Sequence, residues 1–250
     1  MGFPSLDRFS GHADLYAQYR IEYPPELYAY IYSRLESSIS AWDCGTGNGQ
    51  VAAALAKHFT HVEATDISEA QLQRAIQLDN IKYSISSAEQ TQFSSNSFDL
   101  ITVAQALHWF DAAAFHQEVY RVAKPQAIIA EWGYSLLKVN QSIDPIVEHF
   151  YAETIGAYWD SNRKHIDDRF SKIPFPFAEV EHREFKIELE WDAERFLNYL
   201  RTWSSVQQYQ QQNNSDPLLL ISDQVRRAWG EQKQVVEFPV FIRTGRLSKL

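Results

Sequence analysis

The stretch that decides the fold is AWDCGTGNGQVAAALA, residues 41–56, in which an apolar segment ends at Asp43, a turn carries three glycines and an alanine-rich segment follows. This pattern predicts a β-strand, a tight turn and an α-helix. Gly45, Gly47 and Gly49 can adopt positive φ, and without a Cβ atom they let the backbone approach a ligand closely. Open α/β sheets bind ligands at the carboxyl ends of their strands, so we expect a nucleotide-like ligand at this turn.

Outside this turn, strand-like and helix-like patterns alternate at short intervals, which is typical of parallel strands joined by crossover helices. Ser68 and Asp111 stand where their side chains can cap the helices that follow them. The predicted strands of this half cover residues 39–43, 61–66, 81–85, 98–104 and 127–132. The first half therefore predicts an α/β fold with a doubly wound, mostly parallel sheet.

The pattern changes after Gly133. Residues 136–178 indicate helix or irregular structure and predict a helical insertion after the fifth strand, which would act as a lid. Residues 185–191 alternate apolar and charged side chains, which predicts an antiparallel strand with one exposed face. The last predicted strand, residues 235–242, contains Pro239, and a proline inside a strand favours an edge position or a bulge.

The composition excludes several classes of function. Acidic residues outnumber Lys and Arg by 32 to 23, and the net charge of −9 argues against nucleic acid as the main partner. Aromatic residues make up 14% of the chain, enough to line a large core or a pocket for a flat or apolar ligand. A single cysteine excludes an intramolecular disulfide and a cysteine-rich zinc site, and no stretch approaches the about 18 apolar residues of a membrane span. We expect a soluble, cytoplasmic protein that has no membrane partner and no metal site.

Two cofactor classes suit a glycine turn followed by an acidic residue at the end of the next strand. Asp66 is placed to accept hydrogen bonds from ribose hydroxyls. The dinucleotide fingerprint G-x-G-x-x-G, counted from Gly45, would require a third glycine where Gln50 stands. Asp43 beside the turn suits an ammonium or sulfonium centre and would repel a pyrophosphate. The pattern therefore favours S-adenosylmethionine over NAD.

Taken together, the motifs resemble the class I S-adenosylmethionine-dependent methyltransferases, in particular the small-molecule branch that includes the trans-aconitate methyltransferases. The resemblance covers about the first 135 residues and weakens towards the end of the chain. It implies a Rossmann-like, doubly wound sheet of seven strands, mostly parallel, with an antiparallel last strand. The matching segments are YAQYRIEYP (16–24), DCGTGNG (43–49), ATDIS (64–68), SAEQTQF (87–93), FDLITVAQALHWFD (98–111) and EVYRVAKP (118–125).

The resemblance also implies which residues hold the cofactor. The three glycines would contact its methionine part beside Asp43, and Asp66 with the adjacent Ile67 would meet the ribose. Ala88 and Glu89 would meet the adenine ring, and Gln105 would lie beside the amino acid end. Tyr19 and Arg20 match an N-terminal motif that folds over the cofactor, where an arginine can pair with a carboxylate.

On the acceptor side, the resemblance places His108 and Trp109 next to the substrate. His108 could be a general base, a hydrogen-bond donor to the substrate or a structural histidine, and the sequence leaves these roles open. Trp132, Tyr134 and Trp203 could form walls of an acceptor pocket or belong to the core. A short basic cluster in the insertion, Arg163, Lys164 and His165, could attract an anionic acceptor or form a solvated helix face.

The sequence therefore predicts one domain and a leading function, with two rivals. The leading function is methyl transfer to a small-molecule acceptor, which could be a carboxylate as in trans-aconitate methyltransferases. The rivals are an NAD-dependent oxidoreductase and a non-catalytic protein that binds S-adenosylmethionine. Within the domain of 250 residues we expect N-terminal cap helices (1–37), a cofactor-binding core (38–135), a helical lid (136–178) and C-terminal strands and helices (179–250).

Overall fold

The computed structural model describes residues 21–248 and contains one sheet of seven strands. In space the strands follow the order β3-β2-β1-β4-β5-β7-β6. Their bounds are β1 (Ser40–Cys44), β2 (His61–Asp66), β3 (Ile81–Ile85), β4 (Phe98–Ala104), β5 (Ala123–Tyr134), β6 (Ala178–Trp191) and β7 (Gln234–Arg246).

All pairings among β1 to β5 are parallel, and β7 runs antiparallel to both of its neighbours. Six strands consequently point one way and β7 points the other. The chain order reverses between β1 and β4, the position at which open α/β sheets bind ligands. The predicted Rossmann-like sheet with its antiparallel last strand is confirmed.

Helices connect the strands and cover the sheet. The α-helices are α1 (Pro25–Ser33), α2 (Gln50–Leu55), α3 (Glu69–Leu72), α4 (Ala112–Val122), α5 (Asp144–His149), α6 (Lys164–Asp167), α7 (Ala193–Arg201), α8 (Ser204–Asn213) and α9 (Ser222–Trp229). Shorter 3-10 turns cover Leu107–Trp109, Gly156–Tyr158, Ser161–Arg163 and Pro217–Leu220, and a π-helical turn covers Phe150–Thr154. Hydrophobic clusters on both faces of the sheet bury the apolar side chains of the strands.

The predicted helix caps are confirmed. The Ser68 side chain accepts a hydrogen bond from the Gln71 N–H at the start of α3. The Asp111 side chain accepts from two backbone N–H groups at the start of α4, those of Ala113 and Ala114. These bonds satisfy N–H groups that have no partner inside the helix, and so they fix where each helix begins.

Pro239 does not lie on an edge strand, because β7 is an interior strand between β5 and β6. Of the two predicted positions, the irregular one remains. The Pro239 carbonyl accepts from the N–H of Ser135, one residue beyond the end of β5. The next pairing between these two chain segments joins Lys138 and Glu237, so the ladder is interrupted beside the proline. The missing N–H therefore faces an irregular point in the ladder, which explains why an interior strand tolerates it.

The insertion after β5 is helical, as predicted, and a buried ion pair ties its far end to the sheet. Arg243 on β7 donates to Glu131 on β5 at 2.7 Å and to the carbonyls of Phe170 and Ile173 at 3.0 and 2.8 Å. The imidazole of His116 on α4 lies 2.7 Å from the other Glu131 oxygen. Glu131 is 0% exposed and Arg243 is 4% exposed, so each charge depends on its partners for stability.

Candidate functional site

The glycine turn between β1 and α2 adopts the left-handed backbone that the sequence predicts, with φ of +67°, +56° and +80° at Gly45, Gly47 and Gly49. Neighbouring side chains also exclude a Cβ atom at two of these positions. A Cβ on Gly45 would lie 2.6 Å from Cβ of Ala106, and one on Gly49 would lie 2.2 Å from the hydroxyl of Tyr83. Backbone conformation therefore favours glycine at all three positions, and protein packing does so at Gly45 and Gly49, apart from any ligand.

Asp43 lies at the base of this turn and is buried, with 1% of its surface exposed. Its two carboxylate oxygens accept hydrogen bonds from the Thr46 hydroxyl at 2.5 Å and the Thr102 hydroxyl at 2.8 Å. These bonds connect the turn to β4 across the reversal point of the sheet. Sequence reasoning identified Asp43 but missed both threonines, although Thr102 stands directly opposite Asp43 in the ladder.

Asp66 ends β2 and braces the same turn from the other side. Its carboxylate accepts from the Gly47 N–H at 2.8 Å and from the Ser68 N–H at 2.9 Å. A carboxylate offers about four acceptor positions, so these backbone bonds are compatible with two hydroxyl donors from a ribose. The adjacent Ile67 is 38% exposed and adds an apolar surface beside the carboxylate.

Ala88 and Glu89 lie in the loop after β3, where Ala88 is buried and Glu89 is half-buried. One Glu89 oxygen accepts from the backbone N–H of Asp111 at 3.0 Å, and the other accepts from the Ser87 hydroxyl. Glu89 therefore fastens this loop to the start of α4. Its predicted contact with an adenine ring stays a prediction.

Gln105 follows β4 and has a backbone φ of +52°, which is uncommon for a residue with a Cβ atom. Its N–H donates to the Trp132 carbonyl at 2.9 Å, and its Nε2 donates to the Tyr134 carbonyl at 3.4 Å. Within the described residues its Oε1 is buried and has no hydrogen-bond partner. A buried amide oxygen without a donor suits a ligand that carries N–H groups.

His108 lies in the 3-10 turn Leu107–Trp109, and its Nδ1 is buried with no partner in residues 21–248. Burial, the nearby positive charge of Arg163 and the His165 ring, in that order of size, together lower the pKa of His108 to about 3. The ring is therefore neutral at physiological pH. A neutral imidazole with so low a pKa is a weak proton acceptor.

The four aromatic residues predicted on the acceptor side have different neighbours. Trp109 is half-buried, and its ring lies 5.0 Å from that of His108. Trp132 is 0% exposed and packs edge-on against Tyr23. Tyr134 packs edge-on against Phe238 at 5.9 Å. Trp203 belongs to an aromatic cluster with two residues of the insertion, Tyr151 and Trp159, at 5.8 and 5.6 Å. Their contact with an acceptor stays a prediction.

The insertion packs directly on the ends of β4 and β5. A Cβ on Gly133 would lie 2.6 Å from Oε1 of Gln105 and 3.3 Å from Cδ1 of Ile166 on α6. The turn that carries His108 contacts the 3-10 turn Ser161–Arg163. The structure thus brings part of the predicted basic cluster to the acceptor side of the sheet.

Tyr19 and Arg20, predicted to fold over the cofactor, lie outside the described residues. Sequence reasoning also missed the partnership of Glu131 with Arg243. A signal was available, because each is a lone charge in an apolar strand, in AIIAEWGY and in VFIRTG. Because buried charges are almost always paired, a lone acid and a lone base in two strands of the same predicted sheet predict an ion pair between them.

Comparison with known proteins identifies the class to which this fold and site belong. Residues 42–130 match the family model described as a methyltransferase domain. Over 245 residues the chain is 33% identical to a Dictyostelium discoideum protein named as a methyltransferase, covering 94% of this chain and 93% of that protein. A solved structure described as a type II methyltransferase, from Anaeromyxobacter dehalogenans, is 36% identical with a TM-score of 0.85, covering 92% of this chain and 99% of the other.

A more distant relative is the ubiquinone/menaquinone biosynthesis C-methyltransferase of Rickettsia felis, which is 32% identical over 140 residues and covers 49% of this chain and 56% of that protein. The chain belongs to the class I S-adenosylmethionine-dependent methyltransferases. It is therefore an enzyme that uses S-adenosylmethionine, which sets aside both the NAD-dependent oxidoreductase and the non-catalytic binding protein.

The residues of the site fit this cofactor. The carboxylates of Asp43 and Asp66 flank the turn with negative charge, which suits a sulfonium and an ammonium group and disfavours a pyrophosphate. The Oε1 of Gln105, which has no partner in the part of the chain that the structure describes, can accept a hydrogen bond from an ammonium group. No group of three or more His, Cys, Asp or Glu side chains in residues 21–248 could hold a metal ion, and in the same range no helix is long and apolar enough to cross a membrane.

Proposed function

We propose that the protein transfers a methyl group to a small-molecule acceptor that binds between the ends of β4 and β5 and the insertion. The observation that carries this proposal is the position of the turn Leu107–Trp109. On one side of it, Ala106 and Phe110 pack against Gly45 of the glycine turn. On the other side it contacts the insertion. An acceptor beside this turn is next to the cofactor-binding residues and is covered by the insertion, as expected for a lid.

When bound, S-adenosylmethionine supplies an electrophilic methyl group: the acceptor's lone pair forms the new bond to carbon, and the electron pair of the broken carbon–sulfur bond stays on sulfur. The chain has to align the acceptor and exclude water. The aromatic cluster of Tyr151, Trp159 and Trp203 provides apolar cover on the acceptor side. His108 presents a buried Nδ1 atom that can orient the acceptor.

The chemistry of His108 favours an acceptor that is already ionised. A carboxylic acid with an ordinary pKa of about 4 has lost its proton at neutral pH and needs no base. A phenol or an amine has to lose a proton, and the low pKa of His108 makes it a weak base for that step. A carboxylate is accordingly our first candidate for the methylated group, and His108 would act as a hydrogen-bonding partner of the acceptor.

The second candidate is a carbon nucleophile, as the name of the Rickettsia felis C-methyltransferase suggests. Such an acceptor must also lose a proton, so this reaction would require a base other than His108 or a substrate of high acidity.

We also propose a cytoplasmic location, because a chain with a single cysteine cannot form an intramolecular disulfide and fits a reducing compartment. Cys44 is buried and burial raises the pKa of its thiol, so this cysteine is suited to packing and not to redox chemistry.

The test is a screen with methyl-labelled S-adenosylmethionine across small carboxylic acids, phenols, amines and activated carbon acids. We expect label in the ester of at least one carboxylic acid, at a rate well above that of the same mixture without protein. Label found only in amines or phenols would contradict a carboxylate acceptor. Label found in none, from protein that binds S-adenosylhomocysteine, would contradict a small-molecule acceptor of these classes.

A further inference from the structure

Arg163, in the insertion, is held as a cation on the acceptor side of the sheet. Its segment contacts the turn that carries His108, and only 21% of its side chain is exposed. Its guanidinium lies over the ring of Trp159 at 4.9 Å and near that of Tyr151 at 5.7 Å. Its Nε donates to the Tyr151 hydroxyl at 3.0 Å. The stacking and this one bond fix the plane of the guanidinium.

The outer half of the Arg163 guanidinium has no hydrogen-bond partner within residues 21–248, since neither Nη1 nor Nη2 donates a hydrogen bond there. The nearest carboxylate is that of Asp167, whose Oδ1 lies 3.7 Å from Nε and accepts a hydrogen bond from the Tyr151 hydroxyl at 2.8 Å. Asp167 thus balances part of the charge from the Nε side and leaves the terminal nitrogens as a preformed fork. Such a fork matches the two oxygens of a carboxylate or a phosphate.

Two further polar atoms around this position are buried without a hydrogen-bond partner among the described residues. They are Nδ1 of His108 and Nδ1 of His165. Arg163 and His165 both act electrostatically on His108, and the turn that carries His108 contacts the segment of Arg163, so these atoms share one region. Buried polar atoms are almost always paired in native proteins, so their concentration here indicates a polar ligand.

We propose that Arg163 binds an oxyanion of the methyl acceptor, through Nη1 and Nη2, and that the methylated atom belongs to a different group of the same molecule. The acceptor would therefore be an acid with two functional groups, which deepens and rests on the proposed function. An oxyanion held by a guanidinium has its lone pairs engaged in charge-assisted bonds and is a poorer nucleophile. The turn with His108 also stands between Arg163 and the glycine turn, so the group at Arg163 is set back from the reacting centre.

The first test measures binding of simple probes to protein saturated with S-adenosylhomocysteine. The probes are benzoate and inorganic phosphate, with benzamide as the uncharged match of benzoate, and calorimetry reads the affinity. We expect at least one anion to bind, benzamide to bind more weakly than benzoate, and Arg163→Gln to weaken the anion about 10- to 100-fold, the range for hydrogen bonds to charged groups. Whichever of benzoate and phosphate binds more tightly identifies the oxyanion. Equal affinity of the wild type and Arg163→Gln for both anions would overturn the proposal.

Matched variants separate this local effect from loss of charge or of folding. Lys164→Gln removes an exposed neighbouring cation, and Arg195→Gln removes an arginine that stacks on Trp191 at 5.5 Å in α7. Both should bind the anions like the wild type. If Lys164→Gln weakens anion binding as much as Arg163→Gln does, the effect comes from the net positive charge of this region, and the role proposed for Arg163 is wrong. Arg163→Lys keeps the charge but loses the fork, and should bind with intermediate affinity.

The second test measures methyl-transfer kinetics with two substrates. One is an acceptor found in the labelled-methyl screen, and the other is the same molecule with its second, unmethylated acid group converted to an amide. For the charged acceptor, Arg163→Gln should raise KM about 10- to 100-fold and change kcat less, whereas the amide should be almost unaffected. Binding of S-adenosylhomocysteine should be the same in every variant. If that binding is absent even in the wild type, the proposed function fails; if transfer by Arg163→Gln equals the wild type, only the role of Arg163 fails.

Discussion

The glycine turn and the acceptor side are built on opposite principles. At the turn, Asp43 and Asp66 already hold hydrogen-bond donors supplied by the protein, and the backbone is fixed by packing against Ala106 and Tyr83. On the acceptor side, His108 and His165 present buried Nδ1 atoms without partners in the described chain. The cofactor half is thus organised before a ligand arrives, whereas the acceptor side carries polar groups that a ligand can satisfy.

The largest effect should come from breaking the buried ion pair that ties the insertion to the sheet. Glu131→Leu leaves Arg243 buried without its carboxylate, which should lower the free energy of unfolding by about 3–5 kcal/mol. Chemical denaturation measures this loss. The double variant Glu131→Leu/Arg243→Met, which removes both charges, should recover most of it. A double variant no more stable than Glu131→Leu would show that the attraction between the two charges stabilises the protein by more than their desolvation costs.

Asp66→Ala should be the strongest change at the glycine turn. It removes the acceptor for the ribose hydroxyls and for the Gly47 and Ser68 N–H groups, and we expect S-adenosylhomocysteine to bind about 100-fold more weakly by calorimetry. Asp79→Ala, which removes an exposed acid after α3, is the matched control and should bind normally. Normal binding by Asp66→Ala would contradict the ribose assignment.

A smaller effect is expected from Gly49→Ala. The left-handed φ of +80° costs about 1–2 kcal/mol for a residue with a Cβ atom, and that atom would meet the Tyr83 hydroxyl. The melting temperature should fall, and adding Tyr83→Phe should recover part of the loss. Gly156→Ala, whose Cβ would meet nothing closer than 3.7 Å, is the control and should melt like the wild type. Equal melting of Gly49→Ala would show that the turn is less rigid than the comparison implies.

The smallest effect concerns pH. Because burial lowers the pKa of His108 to about 3, its protonation should not appear in the rate of transfer to a carboxylate between about pH 5 and 8. Below pH 6.5, the unfolded chain takes up a proton at His108 that the native protein does not, so this residue makes stability fall as pH falls towards 3. A rate profile with a midpoint near 6.5 that disappears in His108→Gln would show that His108 acts as the base.

Much of the cofactor half follows from the sequence because its signals are local. The turn, the caps at Ser68 and Asp111 and the strands at 61–66, 81–85 and 98–104 depend on neighbours a few residues away. The predicted strands 127–132 and 235–242 are too short. β5 begins earlier because Ala123 pairs with Phe98 of β4, and β5 and β7 pair with each other as far as Tyr134 and Arg246, past the apolar residues on which the prediction rested. The interior place of Pro239 depended on where β5 ends, which no local pattern records.

The parallel sheet, the glycine turn with Asp43 and Asp66, and hence the class of cofactor can be predicted from the sequence alone, because backbone conformation and strand alternation are set by short-range sterics and periodicity. Long-range packing is what pairs Arg243 with Glu131, holds Asp43 through Thr102 and brings Arg163 beside His108. These contacts join residues far apart in the chain, and their free energy comes from burial and charge pairing that exist only once the sheet and the insertion have packed together.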